Sequence, residues 1–325
     1  MELNQLLKQL ILEGGNLFPD SERVTTEELN DCIAFVKSRI GKYFKKFEST
    51  KFLKSKQDHG DIDILVLPKE GVEISEIIQE LSSSLIRHSF NGPTKSLFLN
   101  FKGKKIQVDL IEAKNKSKFY SKKIFFSYGD FWSVIGIISK HLNFNISDSG
   151  IQKIFVYNSQ NNYIKITNNL ITALKILGFK NTKDYKNIKE LKDIVNFIKE
   201  NDLIDSSFFK ASNSKQKTTV GKRKNLDFLL GELRNMNLKR KIDDEDFYLK
   251  KTSYYEKVLE EKEKIMNEKK KVTLYNGTWI MSRFPEIKGE KLGRVLSHLK
   301  NKFKDNLDNQ NDQTIMNEIK ASLRF

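Results

Sequence analysis

The strongest constraint on the fold is one short segment in which polar and apolar residues alternate. The segment DIDILVLP spans residues 61–68, and alternation with a period of two is typical of a strand with one buried face. The apolar residues at 62, 64 and 66 then point into a core, whereas Asp61 and Asp63 share the opposite face. The chain must therefore build a sheet around this strand.

The neighbouring segments supply the rest of a small sheet. SLFLNF (96–101) and KIQVDLIEA (105–113) flank a Lys-Gly-Lys turn, which predicts a β-hairpin. ISEIIQELSSSLI (74–86) has helical spacing, and an earlier helix begins near Thr25 or Thr26, where a threonine cap precedes a glutamate-rich turn. We therefore predict an α+β fold, with a small mixed sheet carrying a helix on one face.

The two aspartates predict a metal site. Carboxylates two residues apart on one face repel each other, and a folded protein tolerates them mainly when a cation lies between them. A third carboxylate, Asp109, lies on the second strand of the hairpin, and a neighbouring strand can bring it beside the pair. Hard carboxylate oxygens suit Mg²⁺ (or Mn²⁺), and three of them suit a two-metal site. The alternative is an edge strand with an acidic solvent face.

The stretch ESTKFLKSKQDHGDIDILV resembles the signature of the DNA polymerase beta-like nucleotidyltransferase superfamily. That signature is Gly-Ser, a spacer of about ten residues, Asp-hydrophobic-Asp-hydrophobic, and a third Asp on a later strand. The resemblance implies that Asp61, Asp63 and Asp109 are catalytic and hold the metal. It also implies a nucleotide-binding loop, whose candidate residues are Ser49, Thr50, Lys51 and Gly60. In one departure, Glu48 stands where the family has glycine, a residue that allows close approach of the backbone and a positive φ.

Later segments are similar to virus- and phage-encoded members of that superfamily. GDFWSVIGIISKHLNF and ITNNLITALKILGF carry part of this similarity. GTWIMSRFPEIKGEKLGRVLSHLKNKF resembles a C-terminal element of tRNA nucleotidyltransferases, with Pro285, Gly289 and Gly293 at the matching positions. The closest resemblance is therefore to tRNA nucleotidyltransferase or poly(A) polymerase-like members, and it implies a small palm followed by a mainly helical C-terminal region.

The charge balance favours a polyanionic partner. Lys and Arg outnumber Asp and Glu by 58 to 42, which gives a formal net charge of +16, and binding to phosphates is driven by counterion release. Between Lys210 and Lys241 we count ten basic residues against two acidic ones. The residues that we expect to contact a nucleic-acid backbone are Lys222, Arg223, Lys224 and Arg240. A solubilising surface or a disordered basic linker is the alternative.

The remaining features concern the core and the compartment. Cys32 is the single cysteine, so we expect a reducing compartment and a core role for it. We also expect Phe131 and Trp132 to lie in the core, and His59 to be either a loop residue or part of the site's lining. No apolar run is long enough for a membrane span, so we expect a soluble protein in the cytoplasm. If the chain is encoded by a virus or phage, as the resemblance suggests, that cytoplasm is the host's.

The expected division of the chain has five parts. They are the N-terminal helices 1–40, a nucleotidyltransferase palm 41–125, a helical nucleotide-binding region 126–209 that includes a short β pair at FVYNSQNNYIKIT, a basic linker and charged helix 210–271, and a C-terminal nucleic-acid-binding unit 272–325.

The expected activity adds nucleoside monophosphates from nucleoside triphosphates to a nucleic-acid 3′ end. RNA is favoured over DNA as the acceptor, and no template is required. Three alternatives stay open: a templated repair-type DNA polymerase, transfer of a nucleotide to a protein or small molecule, and a catalytically inactive nucleic-acid-binding protein. Fold alone does not decide among them.

Overall fold

A computed structural model of the chain describes residues 17–54, 56, 58–210, 224–271, 275–303, 307 and 310–323. It is an α+β protein with a mixed sheet and a helical C-terminal region, which confirms the predicted fold class. The chain separates into two compact units, with a boundary between Thr252 and Ser253 and with the hairpin tip Val156–Gln160 grouped with the second unit. The five-part division by function stays a prediction.

The described residues form ten strands and twelve α-helices. The strands are β1 (Val24–Thr25), β2 (Phe44–Ser49), β3 (Asp58–His59), β4 (Ile62–Pro68), β5 (Leu85–Asn91), β6 (Thr94–Phe101), β7 (Lys104–Glu112), β8 (Phe144–Ser147), β9 (Gly150–Tyr157) and β10 (Gln160–Thr167). The helices are α1 (Thr26–Ile40), α2 (Ile74–Leu81), α3 (Lys116–Phe125), α4 (Phe131–His141), α5 (Leu170–Ile176), α6 (Leu191–Lys199), α7 (Lys224–Asn235), α8 (Phe247–Lys250), α9 (Tyr254–Lys271), α10 (Gly277–Arg283), α11 (Gly289–Phe303) and α12 (Asp312–Ser322).

The central sheet has five strands in the order β2-β4-β7-β6-β5. Strands β4 and β7 run parallel, and the other neighbouring pairs run antiparallel, so the sheet is mixed. The predicted hairpin is β6–β7. Its turn residues Lys102 and Gly103 have φ of 53° and 83°, a left-handed conformation that favours glycine at the second position.

One face of this sheet, which we call the core face, carries the apolar residues of the alternating strand. Ile62, Ile64 and Val66 are buried there together with Cys32 of helix α1, as predicted. Helix α1 begins as predicted: Thr25 accepts a hydrogen bond from the Glu28 backbone N–H, and the Glu28 side chain accepts one from the Thr25 N–H. This reciprocal capping box satisfies two backbone donors that the helix leaves unpaired.

The predicted helix over residues 74–86 is wrong at its C-terminal end. Helix α2 ends at Leu81, and Leu85 begins an edge strand that pairs with β6. The three consecutive serines at 82–84 are weak helix formers, and Ser84 O accepts a hydrogen bond from Asn100 N at 2.7 Å. Pairing with β6 therefore overrides the apolar spacing that suggested a longer helix.

The region after the central sheet contains helices α3 to α8 and a second sheet in the order β10-β9-β8. The predicted β pair at FVYNSQNNYIKIT corresponds to β9 and β10, and β8 adds a third strand. Phe131 and Trp132 of helix α4 are buried, as predicted, and the Trp132 indole N–H donates to Ile124 O at 2.7 Å. They pack against the buried ring of Tyr185. These aromatic residues hold the region together and are not available to stack on a base.

The second unit has its own apolar core. Helices α10, α11 and α12 contribute to it, and its buried residues are Tyr275, Ile280, Phe284, Ile287, Val295, Leu299, Leu307, Ile315 and Ile319. In the first unit, helix α7 occupies part of the basic run, whereas residues 1–16, the start of the predicted N-terminal helices, lie outside the described residues. Within the described part of the chain, none of the helices combines the length and apolarity that crossing a membrane requires.

The capping box of helix α1 gives a test of the fold. Thr25→Ala removes the side-chain oxygen that accepts from Glu28 N, and we expect the free energy of unfolding to fall by about 1 kcal/mol. Urea denaturation followed by circular dichroism measures the change. Ser38→Ala, at an exposed position near the end of the same helix, is the matched control and should change stability little. Equal stabilities for the two variants would contradict the capping assignment.

Candidate metal centre

The three predicted aspartates come together at one place on the central sheet. Strands β4 and β7 are parallel neighbours, and their register sets Asp63 directly beside Asp109. Asp61 lies immediately before β4, two residues from Asp63. One carboxylate oxygen from each of the three side chains lies within 4.8 Å of the others. A cluster of this kind could hold a metal ion.

The cluster lies on the opposite face of the sheet from the core, which we call the site face. On β7 the side chains at 107, 109 and 111 point to this face, and those at 106, 108 and 110 point to the core. Helix α3 covers the far end of the site face, where Phe119 packs on Leu65 and Ile111. The carboxylates therefore lie beside a packed apolar patch that partly desolvates them.

Burial and mutual repulsion both act on the ionisation of these groups. Burial raises the pKa of Asp61, and it raises the pKa of Asp109 to about 6. The pKa of Asp63 is raised well above its usual range, first by burial and then by the charges of Asp61 and Asp109. Among the described residues, no basic side chain forms an ion pair with any of the three. Bringing three carboxylates together without a cation is therefore unfavourable.

The donor set fits a hard divalent cation. All the clustered ligand atoms are carboxylate oxygens, which Mg²⁺ and Mn²⁺ accept and which softer metals do not prefer. A bound cation would offset the repulsion that raises the pKa of Asp63.

Two cationic residues that the sequence pattern did not single out act on the cluster. The charge of Lys56 opposes the increase in pKa at both Asp61 and Asp63, and the charge of Arg23 does so at Asp61. Lys56 lies in the loop before β3, where its backbone O accepts a hydrogen bond from the Thr26 hydroxyl at 3.1 Å. This proximity depends on the folded contact between the loop and helix α1, and no local sequence pattern indicates it.

The predicted nucleotide loop follows strand β2 and lies against the start of β4. Thr50 N donates to Asp63 O at 3.3 Å, which sets the loop beside the carboxylates. Lys51 N donates to the Ser127 hydroxyl at 3.3 Å, and Lys51 O accepts from Tyr128 N at 2.7 Å. Tyr128 has a φ of 65°, a conformation that is uncommon for a bulky residue. The loop is thus fixed by backbone contacts on two sides.

The register of β2 separates Ser49 from its neighbour Glu48. Ser49 pairs with Ile64, on the core face, whereas Glu48 pairs with Leu65, on the site face. The Glu48 carboxylate forms an ion pair with Lys123 of helix α3, and Lys46 lies 3.8 Å from it. A glutamate is therefore accommodated where the family signature has glycine, because two lysines neutralise it. Gly60, the fourth residue predicted for this loop, lies between β3 and Asp61.

His59 is a packed residue and not an exposed loop residue. It is buried on strand β3, its Nε2 lies 3.1 Å from the Thr26 hydroxyl, and its ring meets the Phe52 ring edge-on at 4.8 Å. Burial lowers its pKa to about 4, so the ring is neutral near pH 7. These contacts account for the residue as part of the support beneath the site.

The residues predicted to contact nucleic acid are only partly described. Lys222 and Arg223 lie outside the described residues, and Lys224 begins helix α7. The Arg240 guanidinium donates to Ile242 O at 2.7 Å and to Asp243 O at 2.8 Å, so it clamps its own loop. Contact of these residues with nucleic acid stays a prediction.

Comparison with known proteins adds no family assignment. No protein-family model matches this chain, and no curated protein sequence matches it significantly. The functional interpretation therefore depends on the sheet, the carboxylate cluster and the sequence signature.

The electrostatics of the cluster predict an unusual effect on stability. Because folding raises the pKa of Asp63 above its unfolded value, the folded protein binds more protons, and metal-free stability falls as pH rises above about 4. Asp63→Asn removes this ionisation, so at pH 8 in EDTA we expect it to be more stable than the wild type. Urea denaturation at pH 8 and at pH 4 measures the difference, which should shrink at the lower pH.

The control for this measurement is Asp243→Asn, which changes the same group at an exposed position and should leave stability nearly unchanged at both pH values. A wild-type protein as stable as Asp63→Asn at pH 8 in EDTA would contradict the repulsion described above.

Proposed function

We propose that this protein is a metal-dependent nucleotidyltransferase that adds nucleoside monophosphates from nucleoside triphosphates to the 3′ end of a nucleic acid. The observation that carries the proposal is the cluster of Asp63 and Asp109 on adjacent parallel strands with Asp61 just before the first of them, one oxygen of each lying within 4.8 Å of the others. The Asp-x-Asp spacing and the preceding loop also resemble the DNA polymerase beta-like superfamily, to which we assign the chain.

In this proposal the three aspartates hold Mg²⁺ or Mn²⁺. When bound, such ions lower the pKa of the attacking hydroxyl and neutralise the charge that develops on the phosphate oxygens. The protein's own contribution is rigid placement: two of the three carboxylates are fixed by one parallel strand pair, so their spacing depends on backbone hydrogen bonds and not on flexible loops.

The triphosphate would meet a positive potential next to this cluster. Lys51 is an exposed residue of the nucleotide loop, and Lys56 acts electrostatically on Asp61 and Asp63. Because the Ser49 position lies on the core face, we assign phosphate contact to these lysines in preference to the Ser49 hydroxyl. Lysine is a suitable residue for this role, since its ammonium group acts as a compact point charge toward phosphate.

The acceptor in this proposal is a nucleic acid, with RNA favoured. A formal net charge of +16 gives the chain a long-range attraction to a polyanion. Such an attraction is of no use for a protein or small-molecule acceptor, which makes those alternatives weaker. The charge does not select RNA over DNA; that preference depends on the similarity of the C-terminal segment to tRNA nucleotidyltransferases.

One observation favours a second candidate function, a nucleic-acid-binding protein without transferase activity. Glu48 places a carboxylate on the site face, paired with Lys123, where the family signature has glycine. A negative side chain near the nucleotide loop opposes triphosphate binding by like-charge repulsion. Against this candidate, an inactive protein gains nothing from burying three mutually repelling aspartates.

The activity is tested by extension of a labelled single-stranded RNA, and in parallel a primed DNA, with each triphosphate separately and Mg²⁺ or Mn²⁺. We expect untemplated extension of the RNA by the wild type. Asp61→Asn and Asp63→Asn should each reduce the rate by more than about 100-fold, because even a change in the outer shell of a metal site costs 10- to 100-fold. Asp243→Asn, with the same chemical change at an exposed site, should extend RNA like the wild type.

The other outcomes are equally informative. Extension of the primed DNA alone, by the templated base, would identify a repair-type polymerase. Wild-type rates in Asp61→Asn and Asp63→Asn would remove these residues from the site. No extension of either substrate, together with binding to labelled RNA, would favour the inactive nucleic-acid-binding protein.

A further inference from the structure

Gln107 is a buried polar residue that lies beside the carboxylate cluster. It is two residues before Asp109 on strand β7, so both side chains point to the site face. The Gln107 side-chain amide donates to both oxygens of Asp109, at 3.2 and 3.1 Å. Only 2% of the residue is exposed. One amide group therefore holds both oxygens of a single carboxylate.

The orientation of this amide is set by the segment at the start of the described chain, residues 17–22. The backbone N–H of Leu17 donates to Gln107 Oε1 at 3.1 Å. Because only the carbonyl end of the amide can accept this bond, the NH₂ end must face Asp109. The Gln107 backbone N–H in turn donates to the Ser21 hydroxyl at 3.2 Å. Both bonds join Gln107 to residues 17–22, which we call the N-terminal strap.

The strap is itself anchored on the site face. Phe18 is buried and stacks on Phe98 with ring centroids 4.8 Å apart. The Arg87 guanidinium lies over both rings and forms an ion pair with Asp20. Glu22 N donates to Lys105 O at 2.7 Å. These contacts fix the strap firmly enough for it to orient the Gln107 amide.

We propose that Gln107, oriented by the N-terminal strap, is a positioning residue that fixes the Asp109 carboxylate for metal binding. The inference rests on the proposed function, because it assigns Gln107 a purpose at the same metal centre. Two donated hydrogen bonds restrict rotation of the carboxylate about its terminal bond, so less rotational freedom is lost when a cation binds. Residues of this kind typically contribute 10- to 100-fold to metal affinity or activity.

The packing on this face supports a role beyond filling space. Ser96 of β6 pairs with Asp109 in the sheet and is a second hydrogen-bond donor to it. An apolar residue at 107 would fill the same volume under the strap at less desolvation cost. The buried amide has hydrogen-bond partners at both ends: its NH₂ group donates to a carboxylate, and its carbonyl accepts from a backbone N–H. An apolar residue could not orient the carboxylate in this way.

The test substitutes Gln107→Met, which keeps the length of the side chain and removes both donors. Binding of Mn²⁺ alone, measured by calorimetry or electron paramagnetic resonance, is the main readout. We expect affinity for Mn²⁺ to fall about tenfold or more. In the extension assay at saturating Mn²⁺, the KM for the triphosphate should change by less than about twofold, because the nucleotide loop is untouched. Gln79→Met, at an exposed position on helix α2, is the matched control and should bind Mn²⁺ like the wild type.

A second variant covers the case in which Gln107→Met does not fold. Gln107→Asn keeps a polar amide but is one methylene shorter, so it cannot reach both Leu17 N and Asp109. We expect it to fold and to lose Mn²⁺ affinity in the same direction. Thermal unfolding of each variant separates loss of stability from loss of metal binding.

The outcomes separate this inference from the proposed function. Wild-type Mn²⁺ affinity in a folded Gln107 variant, even one with a lower melting temperature, would overturn the positioning role. If the wild type binds Mn²⁺ but extends no nucleic acid, the transferase proposal fails. Weaker Mn²⁺ binding by the Gln107 variants would still support the positioning role in that case. A wild-type protein that neither binds Mn²⁺ nor extends RNA would overturn both.

Discussion

The parallel pairing of β4 with β7 is the interaction on which the site depends. Its register places Asp63 beside Asp109 on one face while Ile64 and Leu110 enter the core on the other. A shift of one residue would exchange these faces, burying the carboxylates in the core and exposing the aliphatic residues. The same hydrophobic pattern that stabilises the sheet therefore fixes where the charges lie. Stability and site geometry are two consequences of one register.

This arrangement has an energetic cost that the surrounding structure must offset. Three partly desolvated carboxylates repel one another, and burial together with this repulsion raises the pKa of Asp63. The core beneath them is well packed, and the site face is covered by Phe119 at one end and by the N-terminal strap at the other. The carboxylates lie between Phe119 and the N-terminal strap on this face. Strain of this kind is typical of functional sites, where a ligand and not the protein completes the charge balance.

The sequence was a good guide wherever a local pattern decided the structure. The alternation around Asp61 and Asp63, the cap at Thr25 and the Lys-Gly-Lys turn all require only near neighbours, and each was predicted. The sequence did not predict the two edge strands, β2 and β5, because neither has a clear alternation of polar and apolar residues. Both form by pairing with strands β4 and β6. Gln107 and Lys56 were missed because their roles depend on contacts with Leu17 and helix α1. Period-two spacing from Asp109 was the one available signal for Gln107.

The same register sets the direction of the Glu48 side chain, at the position where the signature that this chain resembles has glycine. In the signature, glycine lets the backbone approach the triphosphate closely, an advantage that depends on having no side chain. Here the side chain at 48 leaves the sheet toward helix α3 and is neutralised by Lys123 and Lys46. The predicted nucleotide loop is held at Lys51, whose backbone N–H donates to the Ser127 hydroxyl and whose backbone O accepts from Tyr128 N. A glutamate at 48 is therefore compatible with an intact loop, and under the proposed function lysine side chains, rather than a glycine-lined backbone, would contact the phosphates.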